Sequence, residues 1–120
     1  MNKQIGKVSK KVIDILGLDY EEGKAIFIGE NNIKHMKEKH YEDFVRYGND
    51  IEEIISNPTY IARNPNQDSI EYIKEYIVDN ELVLVAVRAS NQGTMFVKTL
   101  FTMSEKKKNI YLTRGYAKKY

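Results

Sequence analysis

The pattern of apolar and polar positions changes period about half-way along the chain. In the first half, apolar residues recur at helical spacing. Val12, Ile13, Ile15 and Leu16 follow Ser9, a residue type that caps helix starts, and precede Gly17, a type that ends helices. This predicts a short first helix. Ala25-Ile26-Phe27-Ile28 is a brief apolar run before Gly29 and predicts a buried strand. Asn31 or Asn32 is placed to cap a second helix, from about Ile33 to about Phe44. Asp50 and Glu53 have the spacing of a capping box. They predict a third helix through Ile51, Ile54 and Ile55, stopped by Asn57-Pro58.

In the second half the period shortens to two. Tyr60-Ile61 opens a short strand, and the polar stretch 63–69, with Pro65, predicts a loop. Ile70, Tyr72, Lys74 and Tyr76 alternate with Glu71, Ile73, Glu75 and Ile77 as in a strand. Asp79-Asn80 is a turn signal. Leu82 to Val87 is a continuous apolar run, the mark of a central strand, and Asn91-Gln92-Gly93 turns the chain into a returning strand from Thr94 to Thr102. Short turns between strands predict an antiparallel meander. Ser104 is placed to cap a last short helix before a tail at 106–120. The expected fold is α+β: N-terminal helices packed on a C-terminal antiparallel sheet, in a single domain over 1–120.

Composition narrows the function classes. Hydrophobic residues make up 42% and charged residues 30%, as in a folded globular protein and unlike a disordered chain. No run approaches the roughly 20 apolar residues of a membrane span. Lys10, Lys11 and Asp14 interrupt the N-terminal apolar residues, so no signal-peptide core is expected there and a cytoplasmic location is. The absence of cysteine excludes disulfide frameworks, thiol catalysis and cysteine zinc sites. Two histidines exclude a three-histidine metal site within one chain. No cofactor is expected.

The net charge of +2 conceals an uneven layout. Residues 106–120 hold six basic groups and no acid, and the first eleven residues hold four lysines, whereas 42–81 hold ten acids against three basic groups. Basic ends on an acidic body fit contact with a polyanion, and they fit two solvated termini equally.

Both histidines fall in the segment Ile33-Lys34-His35-Met36-Lys37-Glu38-Lys39-His40. On one helix they would point roughly 140° apart, a poor zinc pair. His40 follows Met36 by four and Ile33 by seven, which places it on the apolar face as a core histidine. His35 sits off that face, with Lys39 one turn later. The functional reading uses both imidazoles, because histidine is the side chain best suited to moving protons near neutral pH.

Three further residues join the candidate set. Strand alternation gives Thr99 the face of Met95, Val97 and Phe101, where a lone hydroxyl needs a partner: a backbone group or a phosphate oxygen. The same alternation puts the substrate-binding candidate Lys98 on the opposite face. Arg88 closes the central strand on the side of Leu82, Leu84 and Ala86, either reaching water or binding an anion. Among the nine tyrosines, Tyr41 and Tyr47 flank the histidine helix and Tyr60, Tyr72 and Tyr76 lie in strands. Half-buried packing suits most of them, and stacking on unpaired bases suits an exposed one beside basic groups. There is no glycine-rich phosphate loop, and no carboxylate pair stands out in 42–81.

These elements, in this order, resemble a known family. A helix ending Ile15-Leu16-Gly17-Leu18, an apolar strand, a helix reading IKHMKEKH, an acidic helix stopped at Asn57-Pro58 and a last strand reading FVKTLF resemble the phage- and mobile-element-associated branch of the barnase–EndoU–colicin–RelE-like nuclease fold. The resemblance covers roughly residues 8–104. It implies helices against a four-stranded antiparallel sheet and, in active members, metal-free RNA cleavage. It implies that His35 and His40 match the family's histidine pair, that Thr99 matches the polar residue of its late strand, and that Lys37 loosely matches its basic position. No second basic residue shares Thr99's strand face, which leaves Arg88 as the choice for a charge stabiliser on chemical grounds.

Two function classes follow. The first is a metal-independent endoribonuclease, a toxin or mobile-element effector, with RNA such as tRNA as substrate and an immunity or antitoxin protein as partner. Its catalytic candidates are His35, His40 and Thr99; its substrate-binding candidates are Lys37, Lys39, Arg88 and Lys98. The second is a non-catalytic module on the same fold that binds nucleic acid or protein.

Overall fold

In the computed structural model, which describes residues 2–120, the caps act largely as the sequence predicts. Ser9 Oγ accepts the Val12 N–H at 3.2 Å and opens α1 (Lys10–Leu16), which Gly17 closes in the left-handed region at φ 64°. Ser104 Oγ accepts the Lys107 N–H at 3.2 Å and opens α5 (Glu105–Thr113). Pro58 follows the end of α4 (Ile51–Ser56).

Other local expectations are corrected. The second helical stretch is two helices, α2 (Glu30–Lys39) and α3 (Tyr41–Tyr47), with His40 at the joint in a non-helical conformation. The cap of α2 is Gly29, not an asparagine; Asn32 reaches back, its Oδ1 accepting the Gly29 N–H at 2.8 Å. A side chain at Gly29 would collide with Asn2 Oδ1. Asp50 holds the N-cap position of α4 without a capping bond from its side chain: the carboxylate instead accepts from the Tyr76 hydroxyl at 2.8 Å, after a 3₁₀ turn at Gly48–Asp50.

The sheet is larger than a four-stranded meander. Seven strands, β1 (Lys3–Lys7), β2 (Ala25–Ile28), β3 (Tyr60–Asn64), β4 (Ser69–Tyr76), β5 (Glu81–Ala89), β6 (Met95–Thr102) and β7 (Lys118–Lys119), form one sheet in the order β1-β2-β6-β5-β4-β3-β7. All neighbours are antiparallel except β2 and β6, which run parallel over Ile26–Met95 and Phe27–Phe96. The two edge strands therefore carry Lys3, Lys7, Lys118 and Lys119 of the basic chain ends. Lysine on an exposed edge discourages further strand pairing, a structural reason for basic ends that requires no polyanion.

Each sheet face carries its own core. Val83, Val85, Val87, Met95, Val97 and Leu100 face a large cluster completed by Val12, Met36, Ile51, Ile54 and Tyr72. The opposite face has a smaller cluster of Ile73, Leu82, Leu84, Ala86 and Met103, against which Tyr111 of α5 packs. α5 leaves part of that second face open. Beyond Phe96, β6 has no strand partner on its outer side among the described residues; α2 and α3 pack along it instead. Asp43 satisfies that edge, accepting from the Thr102 N–H at 3.0 Å and the Thr102 hydroxyl at 3.1 Å. No helix among the described residues is long and apolar enough to cross a membrane.

Candidate nucleic-acid site

The site begins with one extra residue. Thr102 to Thr99 pair with Val83 to Ala86 in strict register, but Val87 pairs with Val97 and Arg88 with Phe96. Lys98 is thus a bulge in β6. A bulge resets alternation and re-aims side chains. Val97 and Leu100, three apart, face the large core together, and Thr99 turns to the opposite face, across from Ala86. The expected placement of Thr99 with Met95 and Val97 is therefore corrected; its shared face with Phe101 stands. Lys98, expected on the opposite face, opens onto the same hollow as Thr99.

That hollow is a cleft of about 420 Å³ on the open part of the second face. Ala86 and Thr99 lie on its floor, Arg88 and Lys98 stand at one side, and His35 of α2 borders it. Asn32, Gln67 and Ser69 complete the lining, Gln67 from the β3–β4 connection and Ser69 from the start of β4. The small side chain of Ala86 leaves the room. Around Asn32 and Lys98 the cleft adjoins a second hollow at the start of α2.

Of the residues singled out from sequence, His35, Arg88, Lys98 and Thr99 converge here. Lys37, Lys39 and His40 do not line the cleft. Lys37 extends over the Phe44 ring at 5.7 Å, and Lys39 is exposed at the end of α2. His40 does not occupy the apolar helix face expected of it, because the helix breaks there. Its half-buried ring rests on Phe101, 5.5 Å between centroids, one step along β6 from Thr99 on the same face. Sequence reasoning missed Asn32, Gln67 and Ser69, polar types common in caps and turns, whose pattern carries no signal of a site.

Thr99 Oγ1 is shielded from water and has no hydrogen-bond partner; Tyr72 is the other described residue whose buried side-chain oxygen lacks one. In a core this is a penalty. On the cleft floor, with Arg88 and Lys98 at one side, it is a donor without a partner. Rotation about χ1 exchanges Oγ1 with the methyl group of a threonine.

The next helix, α3, is tied to the sheet. The Tyr47 hydroxyl of α3 accepts from Arg46 at 2.9 Å and shares its own hydrogen between Asp79, at 2.9 Å, and Glu81, while Arg46 bridges to Glu81 at 3.1 Å. Burial first, then these carboxylate partners, push the Tyr47 phenol above its ordinary value. The Tyr47 hydrogen bond, aided by Arg46, holds the Glu81 carboxyl below its usual range. The network fixes α3 to the β4–β5 turn.

Among the described residues, no group of three or more histidine and acidic side chains is arranged to hold a metal ion. Cationic groups at one side, an imidazole at the border and an unpaired hydroxyl on the floor suit an anion with several oxygens, such as a phosphodiester.

The family model described as phage-Barnase-EndoU-ColicinE5/D-RelE like nuclease 3 matches residues 3–110. The chain belongs to this nuclease family. The match spans α1, α2 and β1 to β6, and so every residue lining the cleft; it ends within α5. Membership makes nucleic acid the expected substrate class. Neither the curated proteins nor the solved structures contain a match to the chain.

Proposed function

We propose that the protein is an endoribonuclease that cuts RNA without a metal, by attack of a ribose 2′-hydroxyl on the adjacent phosphorus. The supporting observation is the convergence of His35, Arg88, Lys98 and Thr99 on one open cleft in a chain of the nuclease family. In this reading the phosphate sits over Ala86. A base takes the 2′-hydroxyl proton, and the oxygen attacks phosphorus. The bond to the 5′-oxygen breaks, and an acid returns a proton to that leaving oxygen. The products are a 2′,3′-cyclic phosphate and a 5′-hydroxyl.

His35 is one proton-transfer group. His40, one step along β6 at the helix joint, supplies the second imidazole. Each such transfer contributes about 10²–10⁴-fold. Arg88 and Lys98 stabilise the charge that grows on the phosphorane oxygens, commonly the larger effect. Thr99 donates to a non-bridging oxygen. Because the nucleophile is the 2′-hydroxyl, RNA is cut and DNA spared. Such an activity suits a toxin or mobile-element effector acting in the cytoplasm on structured RNA such as tRNA, restrained by an immunity protein.

The position of His40 favours one alternative. Its ring lies on Phe101 outside the cleft, which leaves a single imidazole at the border. A site with one imidazole and two cations also describes a non-catalytic RNA-binding module. Purified protein incubated with cellular RNA and EDTA decides between them. Fragments ending in 2′,3′-cyclic phosphate, lost in His35→Ala, support the nuclease. Intact RNA bound with a steep fall in affinity as salt rises supports the module.

A further inference from the structure

The turn between β4 and β5 departs from the usual chemistry of turns. Gly, Pro, Asn, Asp and Ser dominate such corners, yet Ile77 and Val78 open this one and stand 82% and 99% exposed. Two neighbouring branched apolar side chains in open water cost free energy that covering them would recover. The turn is also held stiffly. The Asn80 N–H donates to the Ile77 carbonyl at 3.1 Å, the Tyr47 hydroxyl donates to Asp79, and Arg46 bridges Asp79 and Glu81. The apolar corner is thus a fixed knob that loses little freedom on being covered. Its own segment carries charge of one sign: residues 75–81 hold Glu75, Asp79 and Glu81 and no basic residue.

A hollow of matching character lies close by. It holds about 250 Å³ between β1 and α4, with mostly apolar walls that include Ile5, Gly6, Ile55 and Tyr120. Gly6 lets α4 come close, since a side chain there would press on Ile55 at 3.0 Å. Cations surround the hollow. Lys7 lines it, the Lys11 ammonium lies 4.1 Å over the Tyr120 ring, and Lys119 precedes Tyr120; no described acid pairs with any of the three. Glu52 is the one acid in its wall. Knob and hollow flank a single residue. The Glu75 N–H donates to Thr59 Oγ1 at 3.0 Å, and the Tyr120 N–H donates to the Thr59 carbonyl at 3.2 Å. The knob does not fill the hollow of its own chain, because Tyr47 and Arg46 tie the turn to α3 and leave Ile77 and Val78 exposed.

We propose that a second copy of this chain covers the knob, in a two-fold dimer whose partners exchange contacts: Ile77 and Val78 of each enter the hollow at Ile5, Ile55 and Tyr120 of the other. A surface that carries a projection and a complementary hollow side by side is self-complementary, and a two-fold axis uses both at once. Branched apolar side chains leave water on both sides of the axis, and the acids of each turn face the partner's Lys7, Lys11 and Lys119. The same contact made head to tail would use one knob per junction and would not close. The interface lies away from the nuclease cleft: Glu81, at the foot of the turn, is five residues and roughly 17 Å along β5 from Ala86. The dimer therefore does not depend on the chemistry proposed for that cleft.

Sedimentation velocity over a concentration series, with chemical cross-linking, tests the proposal. Wild type should pass from monomer to dimer with a dissociation constant on the order of 10 μM, as suits a small interface. Val78→Asp sets a charge on the knob and should weaken the dimer at least about 100-fold. High salt should weaken it as well, because exposed charge pairs are screened. Cross-linking locates the contact, since the chain has no cysteine of its own. Val78→Cys mixed with Ser56→Cys, a change at the exposed rim of the hollow, should give covalent dimers with a short bis-maleimide, and neither variant should do so alone. A chain carrying both changes should stop at dimers. Both positions are exposed, so the variants should fold, which circular dichroism checks. Wild type monomeric throughout the series overturns the proposal, as does a dimer that survives Val78→Asp. Covalent dimers from Val78→Cys alone, or a ladder of higher oligomers from the double variant, overturn it too.

Discussion

Lys98 and Thr99 are adjacent in sequence and open onto the same cleft. In a regular strand neighbours point to opposite faces. The bulge at Lys98 sets Thr99 opposite Ala86 and beside Arg88 while Val97 and Leu100 stay in the core. The inserted residue thus adds an ammonium group to the candidate phosphate site.

Deleting Lys98 should therefore be tolerated. Val97 would remain opposite Val87 and Thr99 opposite Ala86, in an unbroken ladder. The deletion variant should melt within a few degrees of wild type, whereas deletion of Leu100, which turns Phe101 into the core, should unfold the protein. Loss of one ammonium group should lower RNA affinity and reduce the slope of log affinity against log salt by about 0.7. A collapsed fold in the Lys98 deletion, seen by circular dichroism, would refute the register.

Thr99→Val should separate stability from activity. Val is nearly the same shape and removes a shielded hydroxyl that has no partner. Relieving that unpaired group should stabilise the fold by about 1 kcal/mol, read from urea unfolding. RNA cleavage should fall by about 10²-fold, because the donor to the phosphate oxygen is gone. Tyr72→Phe removes the other unpaired buried hydroxyl and should stabilise by a similar amount with cleavage unchanged. A destabilised Thr99→Val protein would mean that the hydroxyl already has a partner.

The Glu81 network predicts acid sensitivity with a definite sign. Its carboxyl is held below the ordinary value by the Tyr47 hydrogen bond and by Arg46. The folded state therefore binds this proton less readily than the unfolded chain. The stabilisation is fully present above the ordinary carboxyl value of 4.5 and is lost as pH falls through the folded value. Glu81→Gln should be less stable than wild type near neutral pH, and the difference should shrink between about pH 5 and pH 3. Urea midpoints across that range measure it. A constant difference would contradict the coupling.

Much of the fold was legible because it rests on local chemistry. Ser9, Gly17 and Ser104 mark helix ends by their own side-chain or backbone properties, and Leu82–Val87 reads as a central strand because both its faces are buried. The two edge strands were hidden, since lysine-rich segments paired on one side carry little apolar periodicity. The break at His40 and the bulge at Lys98 arise from packing between distant segments: Asp43 tied to Thr102, and β5 imposing its spacing on β6. No local residue pattern announces either. The candidate residues were legible as chemical types, but their grouping was not. His35 and Thr99 meet only because α2 replaces a strand along β6, and the same placement leaves Lys37 and Lys39 outside the cleft.

Cleavage of cellular RNA in EDTA by wild type, His35→Ala and Lys37→Ala tests the central claim most directly. Wild type should yield discrete fragments with 2′,3′-cyclic phosphate ends. His35→Ala should lose at least about 10²-fold in rate, and Lys37→Ala, outside the cleft, should stay within about threefold of wild type. Full cleavage by a folded His35→Ala protein, or RNA left intact by folded wild type, would contradict the account.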